Sequence, residues 1–169
     1  MPERPILIAY DGSDYAKAAI EQAAEQLRDG RRAIVVTVWQ RFRAAFVGVG
    51  VAPVGLEEGI ENDARRVAEE GARLAREAGF DAEPAVAHGD PVWQRIVQAA
   101  DERDAGIIVM GSAGRTGISR VLIGSVAGAV ASHSTRPVLI AHLPPARRTG
   151  ESAETTLGRD GAEGRRSAA

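Results

Sequence analysis

The stretch best suited to chemistry runs Met110-Gly-Ser-Ala-Gly-Arg-Thr-Gly-Ile-Ser-Arg-Val-Leu-Ile-Gly-Ser125, with two residues between Gly111 and Gly114, nine between Gly114 and Gly124, and Ser125 directly after. Glycines let a main chain approach phosphate oxygens with no Cβ in the way, and they accept positive φ, so that successive N–H groups converge on an anion. Ser125 stands where a helix should begin, so its hydroxyl, its N–H and the N–H of Val126 would face a phosphate together with the positive helix end. Arg115 lies within this loop; alone it reads as a solvated charge, but beside a glycine-lined anion site it comes within reach of phosphate. A second candidate is the carboxylate of Asp11 in Asp11-Gly12-Ser13. Asp-Gly-Ser is also an ordinary turn and helix cap. A glycine-rich connection without a ligand is the competing reading of the long stretch, and its place after a strand favours the phosphate.

The elements that must hold these residues alternate along the chain. Pro5 to Tyr10 is an apolar run of strand length, stopped by Asp11-Gly12-Ser13 with Ser13 as a cap candidate. Ala16, Ala19, Ile20, Ala23 and Leu27 recur at helical spacing up to Gly30, a residue suited to ending a helix. Ala33 to Trp39 is dense in β-branched residues and apolar on both faces, as in a covered parallel sheet. Residues 40–56 break all periodicity and suggest a mobile loop or lid. A long amphipathic helix follows from Leu56 to Ala78, closed by Gly79, with arginines and glutamates around Arg65 to Arg76 on a solvated face. A strand at Ala82 to His88 leads to Asp90 as cap and Pro91 at the first helical position, with Trp93, Ile96, Val97 and Ala100 on the buried face. The strand Ile107 to Met110, a helix from Ser125 to about Ser134 and the strand Pro137 to Leu143 complete five strands and four helices. Strict alternation implies a doubly wound α/β fold, a parallel sheet with helices on both faces and ligands at the strands' carboxyl ends.

Composition narrows the function. The 169 residues suit one domain, spanning 1–143, and Pro144 to Ala169, with Leu157 as its single large apolar residue, reads as a disordered tail. A formal net charge of −2 disfavours a nucleic-acid partner. Of 21 basic residues only Lys17 is lysine, which excludes the lysine-bearing P-loop. The absence of cysteine removes disulfides, thiolate metal sites and cysteine nucleophiles, and it fits a cytoplasmic address. No apolar run approaches the roughly 20 residues that cross a bilayer, so neither a membrane partner nor a secretion signal is expected.

Several tempting patterns fail. Gly48-Val-Gly50-Val-Ala-Pro53 has proline where a dinucleotide fingerprint needs its third glycine. His88, His133 and His142 lack metal-ligand spacing, and Trp39 and Trp93 read as packing residues. Ser125 is not in a Gly-x-Ser-x-Gly elbow, and no His/Asp pair is placed to activate it.

The Gly111-x2-Gly114-x9-Gly124-Ser125 spacing, the start Ile8-Ala-Tyr-Asp-Gly-Ser13 and the strand Ile107-Ile-Val-Met-Gly-Ser112 together resemble the universal stress protein family, from about Pro5 to Leu143. The resemblance implies strand order 3-2-1-4-5, in the adenine nucleotide alpha hydrolase-like arrangement, and the branch that binds ATP. It places Asp11 near the adenosine and the backbone around Val38 against the adenine edge, and it puts Met110 and Gly111 on the ribose side. Gly114, Arg115, Gly124, Ser125 and Val126 would hold the triphosphate, with Mg²⁺ sharing its oxygens. The sequence offers no obvious general base for a water and no placed arginine finger, so binding with at most slow ATP hydrolysis and no catalytic residue is expected; the resemblance further implies a homodimer through the last strand, Val138 to Leu143, which a charge at Leu139 or Ala141 should weaken. Ala113 departs from the histidine of some nucleotide-binding members and Gly106 from a common aspartate. The first departure leaves AMP or cyclic AMP as an alternative ligand. An adenylating or pyrophosphatase enzyme is the remoter alternative, since neither Ser-Gly-Gly-x-Asp-Ser nor His-x-Gly-His occurs.

Overall fold

A computed structural model describes residues 3–27, 30–40, 55–114 and 123–143. Its elements are β1 (Ile6–Ala9), α1 (Asp14–Gln26), β2 (Arg32–Trp39), α2 (Leu56–Glu77), β3 (Asp81–His88), α3 (Val92–Glu102), β4 (Ile107–Gly111), α4 (Ser125–His133) and β5 (Val138–Ala141). The strands form one sheet in the order β3-β2-β1-β4-β5. Every neighbouring pair is parallel, as expected.

Alternation along the buried strands builds two cores. Ile6, Ile8, Tyr10 and Val35 point to one face, where Ala16, Ala19 and Ile20 of α1 and Ala72 and Ala75 of α2 cover them. Leu7, Ile34, Val36, Ile108 and Met110 point to the other, under Ile96 and Ala100 of α3 and Val130 of α4. Small helix residues permit close approach. A Cβ at Gly71 would lie 2.6 Å from the Tyr10 ring, and one at Gly111 would lie 2.7 Å from the main chain of Tyr15.

The helix ends show local signals at work and being overruled. α2 closes as expected: Gly79 takes φ 102°, its N–H reaches Arg76 C=O, and Phe80 N–H reaches Ala75 C=O, both at 3.0 Å. That pair of bonds is the Schellman pattern. α1 instead stops at Gln26 with Leu27 extended, before Gly30. The left-handed Gly30 (φ 72°) serves the turn into β2, its N–H bonded to Gly79 C=O at 2.8 Å. Asp90 is not the cap of α3. Pro91 occupies that position and its carbonyl starts the helix, accepting from Gln94 and Arg95, while Asp90 Oδ1 accepts from Gln40 Nε2 at 2.9 Å. Arg65–Glu61, Arg66–Asp63 and Arg73–Glu77 pairs line the outer face of α2, as its spacing predicted. The expected lid falls largely in residues 41–54, and it lies with the tail 144–169 outside the described residues.

Candidate functional site

Strand order reverses at β1. The chain moves outward to β2 and β3 on one side and to β4 and β5 on the other, so a crevice opens between the carboxyl ends of β1 and β4, where such sheets take ligands. The register sets Ala9 beside Met110. Asp11 and the glycine loop thereby meet across the crevice.

Asp11 sits in the turn between β1 and α1. Its Oδ1 accepts the N–H of Ser13 at 3.0 Å, and a Cβ at Gly114 would stand 2.8 Å from its Oδ2. Glycine at 114 therefore admits the carboxylate of a residue far away in sequence. The turn is also a cap, because Ser13 Oγ accepts the N–H of Ala16 at 3.2 Å. Ser13 thus caps the helix, as the turn reading expects, and Asp11 stands beside Gly114.

On the other wall, Ser112 is clamped by its main chain. Its N–H donates to Ala141 C=O and its C=O accepts from Gly124 N–H, each at 2.7 Å. This brings Gly124 to the N-cap position of α4, where it supplies no side-chain bond, and the first turn contains no acid. The first intrahelical bond is Gly128 N–H to Gly124 C=O, 2.9 Å. The amides of Ser125, Val126 and Ala127 precede it and are the helix's open donors. Ser125 is exposed and Val126 half-buried. A Cβ at Gly124 would press within 3.2 Å of the Ser112 carbonyl.

Other candidates contribute through main chain. The Met110 side chain is buried in the α3–α4 core, so only its backbone borders the crevice. Gly111 is held against Tyr15. Val38 lies in β2 beyond the last β1 partner, since pairing ends at Ala9 with Val36. Ala113 is half-buried at the start of the loop, and Arg115 lies outside the described residues.

Two features escaped sequence reading. Thr37 donates its hydroxyl to Tyr10 C=O at 2.9 Å; a lone polar residue inside an otherwise apolar strand was the available signal. Tyr10 sends its phenol to Glu70 Oε1 at 3.1 Å. Burial first, and then the Glu70 carboxylate, push that phenol well above its ordinary range. It stays a neutral donor at any physiological pH.

Among the described residues no cluster of three or more His, Asp or Glu could hold a metal, and no helix is long and apolar enough to cross a membrane. The arrangement suits a ligand with hydroxyls for Asp11 and an anion for α4.

Comparison with known proteins agrees with this architecture. The family model described as the universal stress protein family matches residues 3–142. Universal stress protein YxiE of Bacillus subtilis is 33% identical over 149 residues, covering 80% of this chain and 96% of that protein. Among solved structures, the fold is similar to that of MJ0577 of Methanocaldococcus jannaschii, with a TM-score of 0.70 at 24% identity over 86% of this chain and 99% of that one. The universal stress protein of Archaeoglobus fulgidus in complex with dAMP is 29% identical with a TM-score of 0.57, over 83% of this chain and 99% of that one.

Proposed function

Because the chain belongs to the universal stress protein family, we propose that it is an ATP-binding sensor or regulator that holds the nucleotide in the crevice between β1 and β4. The observation that carries this reading is the N-terminus of α4, with glycine at its cap and no acid in its first turn. Such an end attracts phosphate by its open amides and its dipole. Asp11, beside Gly114 at the end of β1, is a hydroxyl acceptor suited to ribose. The residues present fit a nucleotide, and Mg²⁺, when bound, would draw most of its ligands from phosphate oxygens and water. The dAMP complex of the Archaeoglobus protein supports an adenine ligand.

Binding is the activity. Among the described residues the site offers no evident general base for water, and we expect any hydrolysis to be slow. Titration calorimetry with Mg²⁺ and ATP should give one site per chain, and folded protein that takes up no ATP would overturn the assignment. Ala113, a methyl where a histidine could reach phosphate, favours a second reading, an AMP or cyclic AMP module. A higher affinity for either than for ATP would establish it.

A cytoplasmic homodimer without a nucleic-acid partner belongs to the same reading. The two sheet edges differ. β3 carries Pro84, which has no N–H to offer, and its Ala82 carbonyl is taken by Arg76 Nε at 2.8 Å. On β5, Pro137 and Ala141 turn their carbonyls to β4, which leaves the main chain of Val138 and Ile140 facing outward, a liability that pairing removes. Leu139 packs on the α1 core and Ala141 is buried, so a charge there would test folding rather than association. Ile140→Pro removes an outward donor and spares the β4 ladder. Light scattering should show a dimer for the wild type and a monomer for this variant; a monomeric wild type would refute the interface.

A further inference from the structure

The carboxyl end of the β1–β2 ladder departs from regular pairing at one side chain. Parallel ladders space their bonds evenly, and here Tyr10 N–H donates to Val36 C=O at 2.9 Å. The next bond of that series would run from Val38 N–H to Tyr10 C=O. Instead the Tyr10 carbonyl accepts the hydroxyl of Thr37 at 2.9 Å. The opposite side of β2 fixes which way Val38 faces. Asp81 N–H reaches Arg31 C=O and Gly89 N–H reaches Trp39 C=O, so odd-numbered residues of β2 face β3, while Val36 and Val38 face β1. β1 has ended by then, because its pairing stops at Ala9 with Val36. Val38 consequently presents an N–H donor and a C=O acceptor, side by side, to the crevice.

Under the nucleotide reading, in which the resemblance sets the backbone around Val38 against the adenine edge, that pair would face the groups that distinguish one base from another. Adenine offers an amino donor where guanine offers a carbonyl acceptor, so a fixed main-chain acceptor accepts the first and leaves the second facing a like group. A mismatch of this kind is costly because a desolvated polar group goes unpaired. Thr37 is buried, at 7% exposure, and with valine at 37 the Tyr10 carbonyl would turn to the donor that the register supplies, Val38 N–H.

The geometry points to Thr37 as a positioning residue of the nucleotide site: its hydroxyl takes the Tyr10 carbonyl, keeps Val38 N–H out of the ladder, and leaves the Val38 main chain to select adenine over guanine. This inference rests on the nucleotide reading above, so its test has one arm that needs no nucleotide. Amide exchange by NMR on the full chain should show Val38 N–H exchanging freely in the wild type beside a protected Val36. In Thr37→Val, Val38 should become protected by about tenfold or more. In the second arm, titration of Thr37→Val should show ATP affinity lowered by about tenfold and the preference for ATP over GTP reduced by a similar factor. Thr37→Ser, which keeps the hydroxyl, should restore both, a rescue that mere packing would not predict. If the valine variant fails to fold, Thr37→Ala gives the same readouts. A Val38 amide protected in the wild type, or unchanged exchange or base preference in the hydroxyl-free variant, overturns the role of Thr37 while leaving ATP binding standing. A wild type that binds neither ATP nor GTP overturns the nucleotide reading and the selection together.

Discussion

α1 follows β1 and α4 follows β4, so two helix N-termini face the same crevice. They are finished in opposite ways. At α1 the chain satisfies its own donors: Ser13 caps Ala16 N–H, the Asp11 carboxylate takes Ser13 N–H, and Asp14 adds a negative charge in the first turn. At α4 a glycine occupies the cap, so no cap side chain bonds the first turn, and no acid lies in that turn. Equal backbone dipoles thus yield one end that is neutralised and one that is open to an anion. On the reading proposed above, the carboxylate that closes the first end would be the acceptor of the site, and the open second end its donor. Such an arrangement would orient a ligand that carries hydroxyls at one end and charge at the other.

The comparison breaks most directly if the open end is closed. Ser125→Asp introduces an acid at the exposed first position of α4, where it suits the helix dipole and repels phosphate. Calorimetry should show ATP affinity lower by on the order of 100-fold with thermal stability kept or slightly raised. Unchanged affinity would mean that the anion does not sit at α4. A smaller loss, about tenfold to thirtyfold, is expected for Gly114→Val, whose Cβ would stand 2.8 Å from Asp11 Oδ2 and push the carboxylate aside. Mass spectrometry of nucleotide released from natively purified protein should find ATP in the wild type and little in this variant. Smallest is the reverse operation at the closed end. Ser13→Ala removes the cap of α1 and should cost about 1 kcal/mol of stability in chemical denaturation, with nucleotide affinity nearly unchanged. A large loss of affinity there would show that the two ends are coupled rather than independent.

Much of this was legible beforehand because the signals are local. Ser13 as a cap, Gly79 as a terminator and Ser125 as the start of α4 follow from hydrogen-bonding needs satisfied within a few residues. Where a local rule failed, a longer-range partner had won. Gly30 answers to Gly79 in the neighbouring turn, and the Asp90 carboxylate answers to Gln40. The glycines of the loop also divide. The resemblance set Gly111 on the ribose side and Gly114 and Gly124 at the triphosphate; the folded chain adds that Gly111 lies against Tyr15 of α1, that Gly114 admits Asp11, and that Gly124 stands at the cap of α4.

The amino-acid sequence by itself determined the alternation of strands and helices, the two-sided burial of the strands and the exclusion of a lysine-bearing P-loop and of cysteine chemistry, since each depends on residue type and periodicity along one segment. The juxtaposition of Asp11 with Gly114, the clamp from Ala141 through Ser112 to Gly124, and the exchange of a ladder bond for the Thr37 hydroxyl were decided by tertiary structure alone. Each needs the registers of β1 against β2 and β4, and of β4 against β5. Those registers arise from packing both faces of the sheet at once, a condition that no single segment of the chain carries.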